Sequence, residues 1–199
     1  MAAYQQGDQG AFEELVRRYQ SRIYRFLLKL TGNETLAEDA LIETFFKLHR
    51  AAARYRSQSR FSPYLFTIAY REGLMILRKL RQEAGTTSGF DEGRFNRTQH
   101  TSLWPAGSSP ASSVEARDRL RAVDRALELL TDAQRAVFLL YYREELSTAD
   151  IARVLDTPAG SVRAYLCQAR KTVCNILDAW EATPDLAAGR ARRDATSSP

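Results

Sequence analysis

Apolar side chains in the first half of the chain recur at three- and four-residue steps, which is the spacing of amphipathic helices. One stripe runs through residues 12–30, and Asp8 precedes it at a position suited to cap the helix. A second stripe runs through residues 37–48, and Thr35 and Glu38 have the spacing of a capping box at its start. The pattern therefore predicts two helices, each with one apolar face.

A third helix is predicted to start at Ser62 and Pro63, because proline is favoured in the first helical turn. Its apolar stripe consists of Leu65, Ile68, Ala69, Ile76 and Leu80. Three amphipathic helices can enclose one core. Residues 1–81 are therefore predicted to form a small helical domain.

The helical period disappears over residues 82–113, where Gly, Ser, Thr and Pro supply half of the 32 residues. This composition is typical of a flexible linker. Residues 182–199 contain Pro184 and Gly189 and close on Thr-Ser-Ser-Pro, so we expect a disordered tail.

Helical spacing resumes in residues 114–181, which are predicted to form a second helical domain. Thr131 and Gln134 fit a capping box at the start of one of its helices. The side chains expected to face inward on that helix are Val137, Phe138 and Tyr141. Since the sequence has no strand-like alternation, we predict an all-α fold of two small domains joined by the linker.

The composition is that of a folded globular protein, with 44% hydrophobic and 27% charged residues among 199. No apolar run approaches the roughly 20 residues that span a bilayer, and the first ten residues do not resemble a signal peptide. We therefore expect a cytoplasmic protein with no membrane insertion. Cys167 and Cys174 are seven residues apart with no histidine nearby, so we expect packed thiols, no metal site and no cofactor.

The net charge of +5 is unevenly distributed along the chain. Residues 8–81 carry 14 basic side chains against 8 acidic ones, whereas residues 115–181 carry 10 against 11. Residues 50–81 alone hold eight basic side chains and one acid, Glu72. Such a basic block attracts polyanions, of which nucleic-acid backbones are the commonest. An ordinary solvated helix face is the alternative interpretation of the block taken alone.

The pattern over residues 147–171 predicts a helix-turn-helix, because a short helix capped by Ser147 is followed by a tight turn and a second helix. The side chains expected to meet the DNA major groove are Ser161, Arg163, Ala164, Tyr165, Gln168 and Lys171. Arginine and glutamine match guanine and adenine edges, whereas lysine suits phosphate. A structural helical hairpin is the alternative.

Two segments resemble the extracytoplasmic-function sigma factors of bacterial RNA polymerase. The segment LELLTDAQRAVFLLYYREELSTADIARVLDTPAGSVRAYLCQARKTV resembles region four of that family, and LAEDALIETFFKLHRAAARYR resembles region two. The resemblance covers residues 9–81 and 115–177. It implies a chain that binds promoter DNA and the clamp helices and flap of core polymerase, and that directs promoter-specific initiation.

The resemblance also implies which residues contact each partner. Those expected to bind the polymerase clamp are Glu38, Asp39, Glu43 and Phe46. Those expected to bind and open the minus-ten element are Arg54, Tyr55, Arg56, Ser57, Gln58, Arg60, Tyr64, Tyr70, Arg71 and Arg78. Aromatic rings interleaved with cations are the groups that an unpaired strand needs, because bases stack on rings and phosphates attract cations. The helix-turn-helix is expected to read the minus-thirty-five element.

The chain departs from the family's common pattern at several of these positions. The departures are Ile42 for Gln, Tyr64 for Trp, Arg71 for Asn, Met75 for Asp and Tyr165 for Arg. They bear on promoter sequence and on strand opening. The sequence leaves open whether an anti-sigma factor binds the chain.

Two other functions compete with this interpretation. A stand-alone helix-turn-helix regulator would bind its promoter duplex tightly without polymerase. A nuclease or recombinase would need clustered carboxylates, or a nucleophile with a base, and the sequence shows neither. We therefore expect a protein that is not an enzyme.

Overall fold

The computed structural model describes residues 1–55, 60–83 and 114–181. Its regular elements are helices, and no strand occurs in these three ranges. The predicted all-α fold is confirmed. None of the helices in the described ranges has both the length and the apolar character needed to cross a membrane.

The first domain contains four α-helices and one 3-10 turn. They are α1 (Ala2–Gln5), α2 (Gln9–Thr31), α3 (Glu34–Ala51), the 3-10 turn (Ala52–Arg54) and α4 (Phe61–Glu83). Asp8 caps α2 as predicted, since its carboxylate accepts a hydrogen bond from the Ala11 amide at 3.1 Å. Helix α4 begins one residue before the predicted Ser62, and Pro63 lies in its first turn.

The capping box predicted at Thr35 and Glu38 is wrong. Gly32 ends α2 in the left-handed conformation, with φ of 69°, and Asn33 is then extended. The side chain of Asn33 accepts a hydrogen bond from the Leu36 amide, so α3 starts at Glu34. Thr35 therefore lies inside the first turn.

The core of the first domain is formed by α2, α3 and α4. The rings of Phe26 and Phe66 meet edge to face at 5.3 Å, and both side chains are at most 1% exposed. Gly73 permits the close approach of α4 to α2, because a Cβ atom at this position would lie 2.7 Å from the Leu30 side chain. The predicted three-helix core is present.

The second domain contains α5 (Val114–Glu128), α6 (Asp132–Tyr142), α7 (Thr148–Leu155) and α8 (Ala159–Glu181). The predicted capping box of Thr131 and Gln134 is present at the start of α6. Ser147 accepts a hydrogen bond from the Asp150 amide and starts α7, and Asp156 ends α7 in the left-handed conformation. These caps set the turn between α7 and α8.

Two predictions of side-chain burial in the second domain are wrong. Tyr141 is 38% exposed, because Val137 and Leu140 occupy the buried face of α6. Both cysteines are exposed. The inward face of α8 is already filled by Leu166, Ala169 and Val173, and Cys167 and Cys174 each follow a buried residue by one position.

The two domains pack against each other. Helix α4 contacts α7, and α2 contacts α6. Ion pairs between described residues join the domains, among them Arg22 with Glu144 at 2.7 Å, Lys29 with Asp124, and Arg81 with Asp132. The guanidinium of Arg135 also donates a hydrogen bond to the Leu30 carbonyl at 3.3 Å.

Helix α4 continues to Glu83, two residues beyond the predicted end of the first domain at residue 81. Residues 84–113 and the predicted tail at 182–199 lie outside the described part of the chain.

Candidate nucleic-acid interface

Helix α3 presents a face that is both acidic and apolar. Its inward side is formed by the buried residues Ala37, Ala40, Thr44 and Leu48. The residues predicted to bind polymerase, Glu38, Asp39, Glu43 and Phe46, are all exposed on the outward side. Phe46 is 52% exposed and the Arg50 guanidinium lies over its ring at 5.8 Å. A partner that covers this face would bury apolar area and meet a negative charge.

Ile42 belongs to the same outward face, and it is the most exposed large hydrophobic side chain in the described residues, at 66%. It lies one helical turn from Glu38 and from Phe46. Ile42 is absent from the predicted polymerase-binding residues. Its four-residue spacing from Phe46 is the sequence signal that would have placed both on one solvent-facing stripe.

Helix α4 presents a basic face. Arg60, just before the helix, and Arg71 and Arg78 within it are exposed. Glu72, the single acid of the basic block, is 4% exposed and both of its carboxylate oxygens lie 2.7 Å from the Lys47 ammonium. Because the acid is neutralised inside the domain, the outward charge of α4 near Arg71 and Arg78 is positive.

Aromatic rings cluster at the start of α4. Tyr55 and Tyr64 have ring centroids 4.9 Å apart, and Phe61 contacts both Tyr55 and Tyr19. Burial, and secondarily the neighbouring Tyr55, raises the pKa of Tyr64, so its hydroxyl keeps its proton and remains a hydrogen-bond donor. Tyr55 and Tyr64 are half-buried, which leaves part of each ring accessible.

A contact from the N-terminus holds this aromatic cluster in place. The Gln5 amide donates hydrogen bonds to the Ala52 carbonyl at 2.8 Å and to the Tyr55 carbonyl at 2.7 Å. Helix α1 therefore fixes the backbone at the end of the 3-10 turn. No sequence signal in the first five residues indicated this role.

One residue predicted to bind the minus-ten strand is not available on the surface. Tyr70 is 7% exposed and belongs to the core of the first domain, because it adjoins Ala69 on the inward stripe of α4. The side chains of Arg54, Arg56, Ser57 and Gln58 lie outside the described residues. Met75, by contrast, is 52% exposed one turn beyond Arg71, although it is not among the predicted DNA-binding residues.

Helix α8 is the second helix of the helix-turn-helix. Val162, Leu166 and Ala169 are buried and fix its angle against α6 and α7. Of the residues predicted to meet DNA, Arg163, Ala164, Gln168 and Lys171 are exposed, whereas Ser161 and Tyr165 are half-buried. Arg170 is also exposed and was missed, although it directly precedes Lys171.

One hydrogen bond ties the outward face of α8 to α6. The Gln134 amide nitrogen donates to the side-chain oxygen of Gln168 at 2.7 Å. The other end of the Gln134 amide accepts from the Thr131 backbone N–H at 3.2 Å, as part of the capping box. The hydrogen bond from Gln134 therefore holds the Gln168 side chain in one orientation, with its oxygen directed toward α6.

No group of three or more His, Cys, Asp or Glu side chains that could hold a metal ion occurs among the residues with defined positions. Among the carboxylates outside α3, Glu72 pairs with Lys47 and Asp132 pairs with Arg81.

Comparison with known proteins identifies both domains. The family model for sigma-70 region 2 matches residues 15–83, and the model for sigma-70 region 4 matches residues 120–173. The chain belongs to the sigma-70 family. The two matches correspond to the two helical domains, and the predicted resemblance is confirmed. Sigma factors are transcription initiation factors and are not catalysts in the usual sense.

Similar full-length proteins place this sigma factor in the extracytoplasmic-function group. It is 27% identical over 173 residues to the ECF RNA polymerase sigma factor SigW of Bacillus subtilis (strain 168), covering 84% of this chain and 89% of that protein. It is 26% identical over 173 residues to the ECF RNA polymerase sigma-E factor of Escherichia coli (strain K12), covering 86% and 88%. The chain is a sigma factor for promoter-specific transcription initiation.

Solved structures support the fold. The sigma factor RpoE from Bartonella quintana, in complex with the anti-sigma factor NepR, aligns with a TM-score of 0.67 at 21% identity, over 84% of this chain and 97% of that one. CnrH, in complex with the cytosolic domain of CnrY, aligns with a TM-score of 0.63 at 22% identity, over 89% and 94%.

Proposed function

We propose that the first domain of this sigma factor docks on the clamp helices of core polymerase through α3 and binds the unpaired minus-ten strand through α4. The second domain then reads the minus-thirty-five duplex through α8. This assignment divides the promoter between two surfaces that differ in chemistry. We propose residues 1–81 and 114–181 as the two functional units, with residues 82–113 as the connection.

The outward face of α3 is the observation that carries this proposal. It combines Ile42 and Phe46, exposed by 66% and 52%, with the carboxylates of Glu38, Asp39 and Glu43. An acidic and apolar face does not favour DNA binding by a regulator that acts on DNA alone, because phosphates repel carboxylates. A protein partner with basic and apolar groups fits it.

The basic face of α4 supports binding of an unpaired strand. Duplex opening requires that the protein bind single-stranded DNA better than duplex, through stacking rings and backbone cations. Tyr55 and Tyr64 supply rings near the start of α4, and the exposed Arg60, Arg71 and Arg78 supply cations before and along the helix. Met75 contributes an apolar contact for a base or a methyl group where the family commonly has an acid.

We propose that the chain supplies no catalytic group of its own and acts in the cytoplasm, where bacterial polymerase transcribes the chromosome. The chain contributes a binding free energy that is more favourable for the open promoter than for the closed promoter. The flap of polymerase is proposed as the partner of the second domain, whose Leu129 and Tyr142 are 48% and 47% exposed. An anti-sigma factor is proposed as a further partner, because the similar RpoE was solved in complex with the anti-sigma factor NepR.

The test is a pull-down of core polymerase with the full chain and with the double variant Glu38→Lys/Glu43→Lys. Reversal of both charges should lower core affinity tenfold or more, because each replaces an attraction with a repulsion at the contact. The matched control is Glu13→Lys/Glu14→Lys on the exposed part of α2, which should bind as wild type does. Undiminished binding by the folded α3 variant would remove α3 as the docking helix.

A further inference from the structure

We propose that Gln134 is a positioning residue that sets which base Gln168 reads. The inference rests on the proposed function, in which α8 enters the major groove of the minus-thirty-five element. Gln134 lies on α6 and Gln168 on α8, so the contact joins two helices of the helix-turn-helix.

The orientation of both amides follows from one fixed donor. The Thr131 backbone N–H can only donate, so the atom of Gln134 that faces it at 3.2 Å is the oxygen. The nitrogen of Gln134 then faces Gln168, and the oxygen of Gln168 accepts it at 2.7 Å. The free end of the Gln168 amide is its NH₂ group, which carries two donors toward the groove.

This orientation changes the expected base. Glutamine recognises adenine in two-pronged fashion when its oxygen and its nitrogen both face the base. The bond from Gln134 instead directs the Gln168 oxygen toward α6, so that this oxygen does not face the groove together with the nitrogen. Two donors instead match an edge that presents acceptors, and the O6 and N7 atoms of guanine are the pair with that pattern in the major groove. We therefore expect Gln168 to favour guanine over adenine.

The conservative variant Gln134→Glu separates positioning from folding. A glutamate at this position still accepts from the Thr131 amide, so the capping box and the start of α6 are retained. It has no N–H to donate to Gln168, so the Gln168 amide is released and able to turn. The expected result is loss of the guanine preference at one promoter position, with unchanged thermal unfolding and unchanged affinity for core polymerase.

The experiment is transcription by reconstituted holoenzymes on a library randomised across the minus-thirty-five element. Wild type should enrich guanine at one position by about tenfold or more, Gln134→Glu should lose most of that enrichment, and Gln168→Glu should shift it toward cytosine, whose amino group donates. If Gln168→Ala leaves every position unchanged, the proposed base-reading role of Gln168 fails. If Gln168→Ala abolishes the preference and Gln134→Glu keeps it, the positioning role fails while the proposed function stands.

Discussion

The two domains differ in where the partner of a buried carboxylate lies. In the first domain the buried carboxylate of Glu72 finds its partner, Lys47, inside the same domain. In the second domain the buried carboxylate of Glu144, whose side chain is 2% exposed, pairs with Arg22 across the domain interface. The buried carboxylate of the first domain is therefore balanced within its own domain, whereas that of the second is balanced by its neighbour.

The two domains also differ in the surfaces that are proposed to bind polymerase and DNA. The first domain places its acidic, apolar and basic groups on two helices, α3 and α4, as a surface for a protein and an unpaired strand would require. The second domain places its predicted DNA contacts on a single helix, α8, which is held rigidly by buried Val162, Leu166 and Ala169. A regular duplex groove needs one rigid helix, and an opened strand needs several kinds of contact.

The largest expected effect on stability comes from replacing Arg135, whose side chain is buried in the second domain. Its guanidinium is buried and donates to the carbonyls of Leu127 and Leu130 at 2.7 and 2.8 Å, at the C-terminal end of α5. Arg135→Met should lower the free energy of unfolding by about 3 kcal/mol or more, because several buried carbonyls lose a charged donor. Urea denaturation measures it, and Arg125→Met is the exposed control, with a change below about 0.5 kcal/mol.

The polymerase-docking surface of the first domain gives the next largest effect. Phe46→Ala and Ile42→Ala should each lower the affinity for core polymerase by about 1 to 3 kcal/mol, since both are apolar anchors on an exposed face. Leu36 is partly buried, so Leu36→Ala is not a suitable control. Lys79 is exposed at the far end of α4, and Lys79→Ala is therefore the control. If the two α3 variants bind core polymerase as tightly as Lys79→Ala does, Ile42 and Phe46 are not docking residues.

A smaller effect distinguishes base reading from phosphate binding on α8. Arg163→Ala should cost about 1 to 3 kcal/mol and relax preference at one promoter position, whereas Lys171→Ala should weaken all sequences alike and reduce the salt slope. Binding of the holoenzyme to a randomised upstream element at two salt concentrations separates these outcomes. Identical changes for both variants would mean that α8 contacts only the backbone.

The smallest effect tests the start of α3. Asn33→Ala should lower the free energy of unfolding by about 1 kcal/mol, because the Leu36 amide loses its acceptor. Thr35→Ala should change it by less than about 0.5 kcal/mol, since Thr35 is exposed inside the first turn. A larger loss for Thr35→Ala than for Asn33→Ala would restore the capping box that the sequence suggested.

Local signals in the sequence were sufficient for most of the fold. Asp8, the box of Thr131 and Gln134, and Ser147 act as caps as predicted, because a cap depends on residues within one turn. The error at Thr35 arose because Asn33 offered a competing cap two residues earlier. The left-handed Gly32 beside it decides between them, and that conformation depends on how α2 ends.

Contacts between distant residues could not be predicted in this way. The core position of Tyr70 depends on how α4 packs, since an aromatic residue among arginines is equally consistent with a DNA-binding face. The hydrogen bonds from Gln5 to the 3-10 turn and from Gln134 to Gln168 join residues 47, 50 and 34 positions apart. Helical periodicity carries no information about such pairs.

Reconstitution of the holoenzyme, followed by mapping of transcript starts, tests the central claim most directly. The account predicts that the full chain bound to core polymerase initiates at a defined set of promoters, and that the Glu38→Lys/Glu43→Lys chain initiates at none of them. It also predicts that Arg163→Ala retains polymerase binding while the set of promoters changes. Tight, sequence-specific binding of the free chain to promoter duplex, with no new starts when core polymerase is added, would contradict it.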